Sequence, residues 1–190
     1  MNYEAIWLND KSNVDFGFIV RGTSKRPALP STVDRTLTIP GRNGQWDFGA
    51  DISPRQFVLD CAFLTRNAYE LQQKAAALAA YLVDSYGKPR TLELRFRERP
   101  GQFFKVRFSG AFDIDRIIGT GVFSLSFTAF DPYASADNEQ IFEDIVTTSP
   151  YVTIIRSAGE IRTPPVIVLV NQGPTTIQHF RIENEYLVEG

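Results

Sequence analysis

A period-two alternation of apolar and polar residues runs through most of the first two thirds of the chain, and it restricts the fold to one built mainly of strands. Successive side chains of a strand point to opposite faces, so alternate apolar residues line one buried face. Such alternation is found at 57–63, 92–96, 104–108 and 123–127. The pattern predicts a mainly β, antiparallel, β-sandwich-like domain with one face of each strand in the core.

Glycines mark two of the turns that join these strands. Gly101 separates the runs 92–96 and 104–108, and this predicts a hairpin. The break at Gly119-Thr120-Gly121 predicts a second hairpin, between 112–118 and 123–127, because glycine reaches the positive φ angles of tight turns without strain.

One segment, 67–85, has the spacing of a helix instead. Its apolar residues recur at helical intervals, as Leu71, Ala75, Leu78 and Leu82. Asn67 followed by Glu70 resembles a capping box, and Gly87 and Pro89 are expected to stop the helix. We predict that this helix covers the sheet.

The texture of the sequence changes after Asp131-Pro132-Tyr133, and this predicts a domain boundary. We predict an N-terminal domain over 1–135, a linker or arm over 136–162, and the start of a second domain over 163–190. Two strands are expected there, at 166–170 and 177–182. A hairpin alone is marginal in water, so the second part is either cut from a larger domain or an arm that needs a partner.

Composition excludes several classes of protein. The 190 residues are 43% hydrophobic with a net charge of -2, which is typical of a globular domain and unlike a nucleic-acid-binding surface. The single cysteine, Cys61, allows neither an intramolecular disulfide nor a four-cysteine zinc site, and fits a reducing cytoplasm. Residues 1–10 lack the pattern of a secretion signal, and the longest apolar stretch, 75–83, is too short to insert into a bilayer.

Catalytic and cofactor motifs are missing from the sequence. Asp113 and Asp115 are two positions apart on a predicted strand, a separation of roughly 6–7 Å that is common in amphipathic strands. His179 is the one histidine, and no nucleophile motif accompanies it. We expect no enzyme activity, no metal and no cofactor.

The segment 36–44, with the sequence Thr-Leu-Thr-Ile-Pro-Gly-Arg-Asn-Gly, resembles the hallmark of the siphophage distal tail protein family, in which an apolar residue precedes Pro-Gly-Arg-x-Gly near the end of an early strand. The resemblance continues with Phe16-Gly17-Phe18, the central helix and the strand ending in Asp-Pro-Tyr, and it covers about 1–135. From Thr163 onward the sequence resembles the opening strands of that family's galectin-like C-terminal domain.

This resemblance implies a structural protein of the virion tail tip, made in the cytoplasm of the bacterial host. Family members form a hexameric ring whose N-terminal domains make a belt around the DNA channel, with the C-terminal domains pointing outward. The implied partners are further copies of the chain, the tail tube protein, the tail-tip hub and receptor-binding proteins, while genomic DNA passes through without specific binding.

A rigid turn of the Pro-Gly type is expected at the centre of the motif, whatever its function. As ring contacts we predict the five motif residues Pro40, Gly41, Arg42, Asn43 and Gly44. Two roles stay open for Arg42, whose planar guanidinium suits bidentate bonds. It either bonds across the subunit interface or closes its own loop onto a neighbouring strand.

Two other surfaces have functional and structural interpretations. Asp113 and Asp115 are candidates to face the channel, where acidic groups would keep DNA from binding, or are the solvated face of a strand. The alternative function, a carbohydrate-binding module, would use the aromatic rings of Tyr151, Phe180 and Tyr186, which otherwise pack in a core or pair across a hairpin.

Overall fold

A computed structural model describes residues 3–117, 120–156, 159, 161 and 163–185. The chain divides into two compact units, residues 1–140 and 141–190. The regular elements of the first unit are β1 (Ile6–Leu8), β2 (Lys11–Ser12), β3 (Phe18–Val20), β4 (Thr32–Leu37), β5 (Trp46–Ile52), β6 (Arg55–Leu64), α1 (Ala68–Leu82), β7 (Thr91–Phe96), β8 (Gln102–Phe108), β9 (Ile114–Ile117), β10 (Thr120–Ala129) and β11 (Ser135–Ala136).

Nine of these strands form one curled antiparallel sheet, which confirms the predicted mainly β class. Their order is β2-β1-β7-β8-β10-β6-β3, with β9 paired to β10 and β11 paired to β8. The hairpin predicted at Gly101 joins β7 to β8, and Gly101 has a φ of 80°. Strands β9 and β10 pair as the second predicted hairpin, although the predicted turn residue Gly119 lies outside the described residues.

The core is built from the apolar faces of the strands and the buried side of the helix. The predicted face of β6 is fully buried, with Phe57, Leu59, Cys61 and Phe63 at 2% exposure or less. Aromatic rings make much of this core, and Phe63 stacks on Phe123 with ring centroids 4.6 Å apart. The alternation along β6 therefore reports its buried face correctly.

The helix α1 begins as predicted and ends earlier. The Asn67 side chain accepts a hydrogen bond from the Glu70 backbone N–H at 2.8 Å, while the Glu70 carboxylate accepts one from the Arg66 N–H at 3.0 Å. The four predicted apolar residues are buried. The prediction that Gly87 stops the helix is wrong, because Val83 is already extended and Gly87 belongs to the next turn, where the Asp84 carboxylate accepts from the Lys88 N–H.

Gly121 has a different role from the predicted one. It lies inside β10, opposite Arg116 and Phe63, and not in the turn. A Cβ atom on Gly121 would come within 2.6 Å of Leu71 Cδ1 and 2.8 Å of Ile114 Cγ2. Glycine is required here because helix and sheet approach closely.

The second unit has no strand among residues 141–156, 159, 161 and 163–185. The prediction of strands at 166–170 and 177–182 is wrong, and a galectin-like arrangement is not observed. Apolar residues of these segments are exposed, for example Val166, Val168 and Phe180. Strands need paired edges and a covered face, and this short unit provides neither.

Candidate functional site

The Pro-Gly-Arg motif lies at the tip of an exposed hairpin formed by β4 and β5, which we call the arm (residues 32–52). The two strands pair with each other in a sheet of their own. At the base of the arm, the Ser53 N–H donates to the Ser31 carbonyl at 2.8 Å. Every residue from 31 to 52 is exposed, so the arm has no cover within the described part of its unit.

The tip of the arm contains the predicted turn. The Arg42 N–H donates to the Ile39 carbonyl at 3.2 Å, and Gly41 between them has a φ of 83°. This hydrogen bond and the positive φ at the third residue are the features of a type II turn. The Gln45 side chain also donates to Thr38 Oγ1 at 3.0 Å, which ties the two sides of the tip together. The motif is therefore a rigid tip.

Arg42 folds back on its own arm. Its guanidinium carbon lies 3.9 Å from the centre of the Trp46 ring, a close cation–π stack. No carboxylate of the described residues forms an ion pair with it. One flat side of the guanidinium thus rests on Trp46, while its N–H groups keep their capacity for acceptors from outside.

A β-bulge gives the arm two different faces. Asp34 pairs with Ala50 and Thr36 pairs with Asp47, so β5 contains one residue more than β4, at Phe48-Gly49, where Gly49 has a φ of 91°. Strand β4 alternates without interruption. Since paired residues share a face, the register assigns each side chain of β4 and its partner.

One face of the arm is apolar and unburied. Its large apolar side chains and their exposed fractions are Val33 (55%), Leu37 (50%), Trp46 (48%) and Phe48 (68%). The Arg35–Asp51 ion pair lies on the same face. The opposite face carries Thr32, Asp34, Thr36, Asp47, Ala50 and Ile52. A contiguous apolar face of this kind on a soluble protein marks an interaction surface.

Strand β5 was not predicted from the sequence. The bulge shifts the alternation by one residue, and Asp47 and Asp51 interrupt the apolar run. The signal was Trp46 and Phe48 following a Pro-Gly turn, which is the composition of a returning hairpin strand.

Comparison with known proteins identifies the first unit. The family model of the phage tail protein RIFT-related domain, Sipho_tail, matches residues 12–129. The chain belongs to this family. It is therefore a structural phage tail protein, and family membership implies a place in the tail of the virion.

A solved structure agrees with this tail family. SPP1 Dit (gp 19.1), described as a paradigm of the hub adsorption apparatus in phages that infect Gram-positive bacteria, superposes with a TM-score of 0.60 at 15% sequence identity. The match covers 71% of this chain and 53% of SPP1 Dit, so the chain spans about half the length of that protein. The likeness is one of fold. No curated protein sequence matches the chain.

In this phage tail protein, the two candidate channel residues differ in position. Only Asp115 lies within β9, where it pairs with Val122, and Asp113 lies just before the strand. Asp113 lines a shallow groove beside α1 together with Phe112, Ile114 and other residues. Both carboxylates are exposed.

The basic cluster on β7 and β8 is largely occupied within the tail domain. Arg95 pairs with Glu93 at 2.7 Å and also with Asp137. Arg97 stacks on Tyr3 at 4.5 Å, and Arg107 stacks on Phe130 at 4.4 Å. These contacts are those of a solvated sheet face that balances its own charge.

The groups considered for catalysis are far from forming a site. Burial raises the pKa of the Cys61 thiol, which disfavours the reactive thiolate, and His179 is exposed in the second unit. In the part of the chain that is described, no group of three or more potential ligands could hold a metal ion. Nor does that part contain a helix both long and apolar enough to span a bilayer.

The aromatic residues proposed for sugar binding belong to the second unit. Tyr151 donates a hydrogen bond to the Asp144 carboxylate, and this bond raises the pKa of Tyr151. Phe180 is exposed, and Tyr186 lies outside the described residues. No contact between Tyr151 and Phe180 forms a platform in the described residues.

Proposed function

We propose that the chain is a distal tail protein that closes in six copies into a ring, and that this ring joins the tail tube to the hub and receptor-binding proteins of the tail tip. The family match to a phage tail domain and the Dit-like fold support this role. The observation that carries the proposal is the arm, with its uncovered apolar face.

The physics of ring closure explains why such an arm is useful. A ring subunit needs two different complementary surfaces, so that each copy binds the next in the same way around the circle. An arm that projects from one copy supplies the first surface, and the neighbour's sheet supplies the second. The rigid tip from Pro40 to Gly44 then lies in the interface, where the free N–H groups of Arg42 meet carbonyl or carboxylate acceptors of the neighbour.

The channel imposes a second requirement on the ring. DNA must pass without binding, and each cation that faces it would release counterions and favour binding. Asp113 and Asp115 are the proposed channel-facing groups, since both are exposed carboxylates at one edge of the sheet.

The experiment compares two arm variants of similar volume by light scattering and negative-stain microscopy. Leu37→Ser removes an apolar side chain from the apolar face, whereas Ile52→Ser changes the opposite face. We expect wild type and Ile52→Ser to form sixfold rings, and Leu37→Ser to require at least about tenfold more protein for assembly, because interface anchors contribute more than 1 kcal/mol. A wild-type chain that stays monomeric at high concentration, both alone and with tail tube protein, would sink the proposal.

A further inference from the structure

The strongest unexplained feature of the first unit is a buried guanidinium without an anion. Arg55 is the first residue of β6 and lies on the strand's core side, two positions before Phe57. It is only 6% exposed, and its cross-strand partner Ala129 is fully buried. Its Nε atom is buried and has no hydrogen-bond acceptor among the described residues.

The surroundings of Arg55 are apolar and cationic. Its guanidinium carbon lies 5.1 Å from the centre of the Phe104 ring, so an aromatic face forms one wall. Burial and the nearby Arg99 lower the pKa of Arg55, while Tyr133 raises it. Two arginines and a tyrosine hydroxyl therefore converge at the end of the core, and all three groups can donate hydrogen bonds.

The carboxylates of this end of the sheet are already engaged. Glu98 accepts from Arg26 at 2.8 Å, and Asp131 accepts from the Tyr133 N–H at 3.1 Å. No ion pair of Arg55 or Arg99 is found among the described residues. A buried charge without a partner costs several kcal/mol, and a stack on one phenylalanine offsets only part of that cost.

We infer that Arg55, Arg99 and Tyr133 form a binding site for a carboxylate, and that its occupant is an aspartate or glutamate side chain of a second copy of this chain. A guanidinium binds a carboxylate through paired N–H bonds, and the planar fork of Arg55 is already held against Phe104. The site begins three residues after the end of the arm, so a copy that covers the base of the arm also covers Arg55. The second-copy part of this inference rests on the proposed ring.

The test uses Arg55→Met, which keeps an unbranched side chain against Phe104 and removes the charge. The control is Arg97→Met, because Arg97 also stacks on an aromatic ring but is exposed. We expect Arg55→Met to be at least as stable as wild type when monomeric, since it removes an unpaired buried charge. We also expect it to need at least about tenfold more protein for assembly, because an interfacial charge loses its partner. Arg97→Met should assemble like wild type.

A second readout probes the site without assembly. At a concentration where the chain is monomeric, sodium acetate should raise the melting temperature of wild type more than sodium chloride of equal ionic strength does. The acetate effect should be absent in Arg55→Met. Arg55→Lys, which keeps the charge and lacks the fork, should show a reduced acetate effect and serves in place of Arg55→Met if that variant does not fold.

The outcomes separate the site from the ring. Wild-type rings together with unchanged assembly of Arg55→Met would overturn the inference and leave the proposed function standing. A monomeric wild type with an acetate effect that depends on Arg55 would support the carboxylate site and refute the second copy as its occupant. Absence of a specific acetate effect in wild type, or a monomer strongly destabilised by Arg55→Met, would make Arg55 a structural cap of the core.

Discussion

A single buried amide, that of Asn13, ties three segments of the first unit together. Its Oδ1 accepts hydrogen bonds from the Ala5 and Ile6 N–H groups at 2.8 and 3.3 Å. Its Nδ2 donates to the carbonyls of Tyr3 and Phe18 at 3.1 and 2.9 Å. The side chain is 1% exposed, so nearly all of its hydrogen-bonding capacity is used inside the protein.

Replacement of Asn13 by Asp should destabilise the protein strongly. The variant keeps the shape but loses both donors and places a carboxylate against two carbonyls. We expect the free energy of unfolding to fall by about 2–4 kcal/mol, measured by urea denaturation at neutral pH. Asn138→Asp, at an exposed position, is the control and should change the stability by less than about 0.5 kcal/mol. Equal effects of the two variants would show that the Asn13 network contributes little.

Arg42 allows the proposed interface role to be measured apart from folding. Its side chain stacks only on the arm, so Arg42→Ala should leave the free energy of unfolding of the core within about 0.5 kcal/mol of wild type. In light scattering, the concentration needed for assembly should rise about tenfold as the contact is lost. Arg42→Lys should fall between the two, because it keeps the charge without the flat stack. Intact rings of Arg42→Ala at the wild-type concentration would rule out an essential contact.

At the level of elements, the fit between α1 and the sheet depends on one missing side chain. The helix buries Leu71, Ala75, Leu78 and Leu82 on the sheet, and Leu71 occupies the space over Gly121. Protein interiors are packed closely enough that one added methyl group must displace its neighbours. The arm is the opposite case, because its apolar face has no such fit within its own unit.

Gly121→Ala should therefore loosen the contact between helix and sheet. Its Cβ would lie 2.6 Å from Leu71 Cδ1, and relief of that overlap should lower the free energy of unfolding by about 1–3 kcal/mol. Gly22→Ala is a matched control, because no atom lies within 4 Å of the added Cβ. Thermal and urea unfolding would distinguish the two. A neutral Gly121→Ala would mean that Leu71 moves aside without cost.

For the whole molecule, the titration of structural carboxylates sets the behaviour in acid. Hydrogen bonds from Ser12 lower the pKa of Asp15, and those from Thr23 and Ser124 lower that of Asp60. The Arg66 N–H lowers the pKa of Glu70. A group whose pKa is lower in the folded state binds fewer protons there, so its stabilisation is present above the unfolded pKa and is lost as the pH falls through the folded value.

Stability should consequently be level near neutral pH and fall in acid, beginning near the ordinary pKa of 4.5 for Glu70 and 3.8 for Asp15 and Asp60. Urea unfolding between pH 7 and pH 3 measures the slope. Asp60→Asn should be less stable than wild type at pH 7, and the difference should shrink toward pH 3. A constant difference across this range would contradict a role of the Asp60 charge.

The channel proposal also belongs to the assembled molecule. Asp115→Lys should make rings retain DNA in an electrophoretic mobility assay at low salt, and the retention should weaken steeply as salt rises. Asp10→Lys makes the same change of charge at another exposed position and should retain less DNA. Equal retention by both variants would place Asp115 away from the channel.

Local spacing was sufficient to predict much of the fold. Alternation located the buried face of β6, and the helical interval of Leu71, Ala75, Leu78 and Leu82 located the buried side of α1. Gly101 and the Pro-Gly pair at 40–41 located turns. These features depend on neighbours within a few residues, and the chain alone encodes them.

The same local reasoning failed where a distant partner decides the outcome. The strands predicted at 166–170 and 177–182 have suitable residues, but no edge in the described part of their unit pairs with them. Conversely, the pairing of Leu59 with Leu125 joins segments far apart in sequence, and no local pattern specifies it.

The candidate sites divide in the same way. The motif at the tip of the arm is legible in the sequence, because a Pro-Gly turn needs only its own residues. The unburied face of the arm and the anion-free burial of Arg55 are not, since a Trp or an Arg at an alternating position has the same local pattern whether it is covered or exposed. Burial and charge compensation are sums over everything that surrounds a side chain, and those surroundings exist only once the strands have found their partners.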